Sequence, residues 1–289
     1  MFSPLRRPAG TCALLLVLLA GCSSGTSGLP KEHPSSAGQG RSTAGTGTAD
    51  VRPPRADAVF DYQLGGAYAP PAGVRAVSRD RAAKPATGLY NVCYVNAFQA
   101  QPGDAVDWWH HRHPGLLLRG ADGQPVIDGE WEEPLLDIST DDKREALLGI
   151  VGPWIDRCAD AGFDAVEPDN LDSYERSDGL LTADDAAAFA GLLARRAHQR
   201  GLAVAQKNTT ELLGQRRLIG FDFAVVEECA RYQECPDFAS AYDGRVFDIE
   251  YEEQDFTAAC RSWGEELSIT LRDREVRPVD ADGHVHEHC

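Results

Sequence analysis

The sequence predicts an α/β fold, a (β/α)8 barrel of the TIM type. Short, continuous apolar runs alternate with longer segments of helical periodicity through residues 57–289. Continuous rather than alternating runs suit parallel strands covered on both faces. No Gly-rich phosphate loop follows the first run, which disfavours the alternative of a doubly wound open sheet.

Nine runs qualify as strands: Phe60–Leu64, Val74–Ser78, Leu89–Asn96, Leu135–Ile138, Phe163–Glu167, Leu202–Gln206, Phe221–Val226, Arg245–Glu250 and Leu267–Leu271. A barrel has eight places, so one of the first two runs, or the last, is expected outside it. Ser139-x-x-Asp142 reads as a capping box ahead of Leu147, Ile150, Val151, Trp154 and Cys158 at helical spacing, and Gly162 closes that helix. Thr182-x-x-Asp185 opens the next, with Phe189, Leu192, Leu193 and Ala197 on one side and Gly201 at the stop. Glu211–Leu218 and Phe256–Trp263 read as two further helices.

Ahead of the domain, Arg6 and Arg7 precede the apolar run Ala13–Ala20. That run is shorter than the about 20 residues a spanning helix needs, and it reads as a signal-peptide core. It ends in Leu19-Ala20-Gly21-Cys22, which resembles a bacterial lipobox with Cys22 as the lipidated residue. The expected organisation is a signal peptide over 1–21, a Gly/Ser/Thr/Pro-rich tether over 22–56 and one domain over 57–289. The expected location is the outer face of the cell membrane, held by the N-terminal lipid. A net charge of −17 repels nucleic acid and anionic headgroups and attracts cationic ligands. A monomer without cofactor or metal is expected.

Setting Cys12 and Cys22 aside leaves Cys93, Cys158, Cys229, Cys235, Cys260 and Cys289. An even number in an exported chain suggests disulfides, with fifteen pairings possible. Cys229 and Cys235 are close enough to staple one loop, and Cys260–Cys289 would tie down the C-terminus. Cys93 and Cys158 would then remain to pair. A metal tract over His284, His286, His288 and Cys289 is the less favoured reading of the tail. His110, His111 and His113 read as a solvated loop.

The chemistry lies at the strand ends. Glu167, Asp169, Asn170 and Asp172 follow one run, Lys207 and Asn208 the next, Glu227 and Glu228 the one after, and Glu250 and Tyr251 another. Asp61 and Asp137 belong to earlier runs. In barrels of this type the C-terminal strand ends form the active-site face. Two carboxylates opposed across such a face suit glycoside hydrolysis, one protonating the leaving oxygen and the other attacking the anomeric carbon or activating water. Lys207 would bind sugar or tune a carboxylate, and Tyr62, Tyr94, Trp131 and Tyr251 would stack on sugar rings.

Tyr62-Gln63-Leu64, Asn91–Asn96, Leu136-Asp137-Ile138, Gly162–Asp172 with its Glu-Pro-Asp-Asn-Leu-Asp core, Gln206-Lys207-Asn208, Glu227-Glu228-Cys229 and Ile249-Glu250-Tyr251 occur in that order. Together they resemble the endo-α-1,4-polygalactosaminidase family, glycoside hydrolase family 114. The resemblance runs from about Phe60 to Cys289. It implies a (β/α) barrel, a cationic amino-sugar polymer as substrate, Asp169 as nucleophile and Glu227 as acid/base. Strand parity gives a different answer for the acid/base: if the small residues Ala224 and Val226 face the lumen, Glu228 turns inward. Asp61, Tyr62, Gln63, Tyr94, Asp137, Glu167, Asn170, Asp172, Lys207, Asn208, Glu250 and Tyr251 make up the expected substrate-binding set. Two readings compete with the retaining glycosidase. One is a metal-dependent barrel enzyme using Glu167, Asp169 and Asp172 as oxygen ligands. The other is a catalytically silent lipoprotein that binds polysaccharide.

Overall fold

The structure, a computed structural model, describes residues 50–101 and 104–289. The signal peptide, Cys22 and most of the expected tether lie outside the described residues. Residues 51–56, read from composition as tether, pack on the barrel: Pro54 is buried, and the Arg52 carbonyl accepts a hydrogen bond from the Tyr90 hydroxyl at 2.9 Å.

Three strands come first: β1 (Phe60–Gln63), β2 (Ala76–Asp80) and β3 (Tyr90–Asn96). A long excursion follows through α1 (Asp104–Arg112), the two-residue strands β4 (Ile127–Asp128) and β5 (Glu133–Pro134), and α2 (Asp141–Ala161). Regular alternation then sets in with β6 (Ala165–Asp169), α3 (Ala183–Gln199), β7 (Ala203–Lys207), α4 (Arg216–Ile219) and β8 (Phe223–Glu227). Two short helices, α5 (Cys229–Tyr232) and α6 (Cys235–Tyr242), lead into β9 (Val246–Glu250), α7 (Glu253–Trp263), β10 (Ser268–Arg272) and β11 (His286–His288).

Eight strands run parallel in the order β1-β2-β3-β6-β7-β8-β9-β10, and β11 adds antiparallel to β10. The ring closes through side chains rather than a ladder. Thr270 Oγ1 donates to the Phe60 carbonyl at 2.8 Å, and Arg272 of β10 pairs with Asp61 of β1 at 3.4 Å, both side chains fully buried. The His286 ring of β11 also reaches the Phe60 carbonyl, at 3.4 Å, so β11 stands at the seam.

The first two runs and the last are therefore all in the barrel, contrary to expectation. The run outside is Leu135–Ile138, which makes only isolated bridges, Leu135 with Gln99 and Leu136 with Leu117. Its residues are buried in the layer outside the sheet. A buried extended segment has the same composition as a parallel strand, so local pattern does not separate them. Three smaller corrections follow. The N-cap of α2 is Thr140 rather than Ser139, whose hydroxyl instead donates to Asp137. His110 and His111 lie in the last turn of α1, not in a loop. The segment expected as one helix over Glu211–Leu218 is a 3-10 turn over Thr210–Gln215 followed by α4.

The helix ends fall where side chains satisfy the free backbone groups. Thr182 and Asp185 form the reciprocal capping box of α3, and Gly162 closes α2 at φ 93°, where a side chain would be strained. Disulfides join Cys93 on β3 to Cys158 on α2, Cys229 to Cys235 across the α5–α6 loop, and Cys260 on α7 to the terminal Cys289. No helix among the described residues is long and apolar enough to cross a membrane.

Candidate active site

Side-chain parity decides what reaches the lumen. Phe60, Tyr62, Ala76, Val92, Ala165, Ala203, Ala205, Phe223, Val225, Phe247 and Ile249 pack together inside the ring. Successive residues of a strand face opposite sides, so this phase carries Glu167 and Asp169 on β6, Lys207 on β7 and Glu227 on β8 to the inside at the C-terminal ends. Ala224 and Val226 lie in the outer layer against the helices, so the premise that pointed to Glu228 fails.

Each of the three strands stops one residue later. Asn170, Asn208 and Glu228 take the left-handed conformation, with φ 66°, 46° and 59°. Asn tolerates that region; Glu does so at a cost of roughly 1–2 kcal/mol. The turn swings the chain off the sheet directly after Asp169, Lys207 and Glu227. Asn208 Oδ1 accepts from the Glu227 backbone N–H at 2.8 Å, which ties the β7 and β8 turns together.

The centre of the site is the Lys207 ammonium, 3% exposed. It lies 2.9 Å from Asp169 Oδ1, 3.2 Å from Glu227 Oε2, 3.5 Å from Glu167 Oε1 and 3.3 Å from the Tyr62 hydroxyl. Three tyrosines donate to the same carboxylates: Tyr62 to Glu167 at 2.7 Å, Tyr94 to Asp169 at 2.6 Å, and Tyr251 to Glu227. Ser78 donates to the second oxygen of Glu167 at 2.6 Å.

These contacts set the charges. Burial favours the neutral form of Asp169, but Lys207, the Tyr94 hydroxyl and the Asn170 backbone outweigh it and hold the carboxyl below its usual range. Burial also opposes the Lys207 ammonium. Asp169 and Glu227 outweigh that, so it stays charged far above neutrality. Glu167 differs: burial dominates, and its pKa is raised to about 7. The cluster thus holds a fixed cation, a fixed anion at Asp169 and a carboxyl at Glu167 that titrates near neutrality.

Several expected residues lie elsewhere. Glu228 points away from Asp169 and accepts from Arg231 at 2.5 Å and Arg274 at 3.4 Å. Glu250 faces outward on β9 and accepts from the Ala230 backbone at 2.8 Å, anchoring α5. Asp137 is engaged by Ser139 and Lys143, and Asp172 pairs with Arg176 at 2.9 Å. Asp61 and Gln63 bond each other, and Asp61 also bonds Tyr68 and Arg272 at the seam. Trp131 is half exposed in the β4–β5 loop, with no ring partner among the described residues. Asp172 is thus not brought together with Glu167 and Asp169, and the Lys207 cation already fills the space between those two. A divalent cation at that trio is not supported. His286 lies in β11 and Cys289 is joined to Cys260, so the tail is tied to the domain.

Three neighbours escaped the sequence reading. Ser78 ends a strand that was identified, and parity would have found it. Asn96 donates to Glu133 at 2.7 Å and accepts from Asn170 Nδ2 at 3.1 Å. Burial raises the Glu133 carboxyl to about 7. Glu133 sits in the irregular excursion, where no local pattern marks it.

Lys207→Met leaves the Asp169 carboxylate without the cation that holds it ionised. Breaking a buried pair costs about 3–5 kcal/mol, and displacing the carboxylates by about an ångström lowers kcat/KM roughly 10- to 100-fold. Denaturant melts and steady-state kinetics read both. An unchanged midpoint with unchanged kcat/KM would show that Lys207 organises nothing.

Asp248 and Glu250 lie side by side under α5, and burial raises both carboxyls, Glu250 to about 7 and Asp248 well above its usual range. With Glu167 and Glu133 they bind more protons folded than unfolded. Their contribution is full below the unfolded carboxylate range, about 4–4.5, and is lost as pH rises through each folded pKa, about 7 for Glu167, Glu133 and Glu250. The melting temperature is therefore expected to be higher at pH 5.5 than at pH 8, with a smaller gap in Asp248→Asn. A gap of the opposite sign would contradict it.

The model of glycoside-hydrolase family GH114 matches residues 40–289. No curated protein sequence matches the chain. Among solved structures, Ega3 from Aspergillus fumigatus in complex with galactosamine superposes with a TM-score of 0.66 at 23% identity, covering 84% of this chain and 99% of that one. The glycoside hydrolase domain of PelA from Pseudomonas aeruginosa gives 0.56 at 18% identity, covering 79% and 97%. Both likenesses support the barrel fold. The match over nearly the whole barrel, with acidic strand ends gathered at one mouth, shows that the chain belongs to glycoside-hydrolase family GH114 and is a glycoside hydrolase.

Proposed function

We propose that the protein is a retaining endo-glycosidase that cleaves α-1,4-linked galactosamine polymers, with Asp169 as nucleophile and Glu227 as acid/base. The observation that carries this is the shared cation. Asp169 Oδ1 and Glu227 Oε2 lie 2.9 and 3.2 Å from one Lys207 Nζ, so those two oxygens are at most about 6.1 Å apart (2.9 + 3.2). Retaining pairs stand about 5–5.5 Å apart and inverting pairs about 6.5–9.5 Å.

In the first step Asp169 attacks the anomeric carbon while Glu227 gives its proton to the leaving oxygen. The resulting ester carries no charge at Asp169. Lys207 is then left facing Glu227 as a carboxylate, the form that takes a proton from water as the ester is hydrolysed. Tyr94 and Lys207 fix the two oxygens of Asp169, and Tyr251 fixes Glu227. That preorganisation costs nothing at the moment of reaction.

Galactosamine as the substrate unit is supported by family membership, by the galactosamine held in the Ega3 structure, and by the net charge of −17. The cleft-lining set of Asp61, Asp137, Asp172 and Glu250 inferred from sequence does not supply that charge, since those groups are paired or face away. The overall field of the acidic chain is what remains to attract a polycation. The test is release of oligomers from a panel of amino-sugar and neutral polysaccharides. Free-amine polygalactosamine is expected to be cleaved, more slowly at high salt, and its fully N-acetylated form more slowly still, because acetylation removes the charge that salt only screens. Equal rates on both polymers, insensitive to salt, would remove the cationic substrate and leave the glycosidase. The domain is further proposed to be exported and tethered through Cys22, a reading supported by the lipobox resemblance and the three disulfides. Cys22→Ser should then shed the protein from the membrane fraction.

A further inference from the structure

Beside the catalytic mouth lies a separate pocket of about 250 Å³ between β3, α1 and α2. Its lining includes Asn96, Gln99, Gln101, Trp108, Trp109 and Trp154. We propose that this pocket is a distal sugar subsite that takes one amino-sugar unit of the polymer, with Trp108 as its stacking platform. The proposal rests on the amino-sugar polymer reading above and deepens it.

Four observations converge. The first is continuity. Asn96 stands opposite Asp169 in the β3–β6 register and bonds Asn170, the residue after it, and Asn96 is also among the residues that line the pocket. A chain seated over Asp169 has a polar wall to follow into the pocket.

The second is the aromatic arrangement. Trp109 is buried and packs edge-on against both Trp108 and Trp154, at 5.1 and 6.3 Å between centroids. The Arg81 guanidinium covers one face of Trp154 at 4.3 Å. Trp108 packs against Trp109 and, at 4.6 Å between centroids, against His113, yet stays 40% exposed and lines the pocket. An indole attracts both the C–H face of a pyranose and a protonated amine.

The third is the amide lining. Gln99 is buried and donates through Nε2 to the Asp128 carboxylate at 2.9 Å, which fixes the amide orientation because a carboxylate only accepts. Its Oε1 is left buried with no partner among the described residues. Sugar hydroxyls and ammonium groups are the donors such an oxygen lacks, and Gln99 is part of the pocket lining. The fourth is size. Drug-sized ligands occupy about 300–1,000 Å³, so this pocket suits a single ring.

Binding is measured by calorimetry in the Asp169→Asn chain, which cannot turn substrate over, with α-1,4-linked galactosamine oligomers of increasing length. Trp108→Ala should weaken the longest oligomers about tenfold and the dimer much less, and Trp108→Phe, which keeps a ring, should restore most of the loss. In the active enzyme, Trp108→Ala should raise KM for long substrates more than it lowers kcat. Equal affinity of Trp108→Ala and its parent for every oligomer would overturn the subsite while leaving the glycosidase untouched. A parent that binds no oligomer would overturn both readings of the substrate. Circular dichroism of both Trp108 variants excludes loss of fold as the cause.

Discussion

Asp169→Asn is expected to lower kcat by about 10⁴-fold or more, the scale seen when a nucleophile is removed from a concerted group. The side chain keeps its shape but can no longer form the ester. Lys207 and Tyr94 both donate to Asp169, so the new amide must turn its NH2 toward one of two donors. An unmatched buried donor costs about 1–3 kcal/mol, a loss a domain of this size survives. Steady-state rates on polygalactosamine, together with a thermal melt, separate the two effects. Retention of more than about a hundredth of the activity by a folded variant would take Asp169 out of the mechanism.

Loss of the acid/base has a different signature. Glu227→Ala is expected to lower kcat on the polymer by about 10²–10⁴-fold, the usual worth of a positioned proton donor. Attack by Asp169 needs no such donor when the leaving group is a good one, so an aryl α-galactosaminide should still form the ester. Azide, which needs no base, should then restore turnover and give the α-configured glycosyl azide. Proton NMR of the product reads the configuration directly. A β-configured product would show single displacement and make the enzyme inverting. Glu228→Ala, in contrast, removes the partner of Arg231 and Arg274 and should cost stability more than chemistry. A Glu228→Ala chain as inactive as Glu227→Ala would exchange their roles.

Much of the barrel was legible because parallel strands buried on both faces leave a local mark. Eight of the nine runs are barrel strands with bounds shifted by no more than two residues, and the α3 capping box is where Thr182 and Asp185 place it. Leu135–Ile138 was misread because burial alone makes an apolar run, whether or not a strand pairs with it. The face was not legible locally: parity turns Glu228 inward only if the small residues Ala224 and Val226 face the lumen, and the resemblance alone points to Glu227. The lumen instead holds Phe60 stacked on Phe247 at 4.2 Å, with Phe223 beside them, while Ala224 and Val226 lie on the helix side. Small side chains there let the helices approach the sheet.

The sequence by itself determined the order of the elements, the end of the barrel at which the acidic residues gather, and the family they resemble. These are properties of residues near one another along the chain. Only the tertiary structure decided that Glu227 rather than Glu228 meets Lys207, that Asp61, Asp137, Asp172 and Glu250 are engaged elsewhere, and that Ser78 and Tyr62 hold Glu167. Each of those outcomes turns on a shift of one residue in strand phase, or on a partner that stands 2 to 211 residues away along the chain. Phase and partner are fixed when the ring closes and Lys207, Asp169 and Glu227 compete for the same few ångströms of buried space.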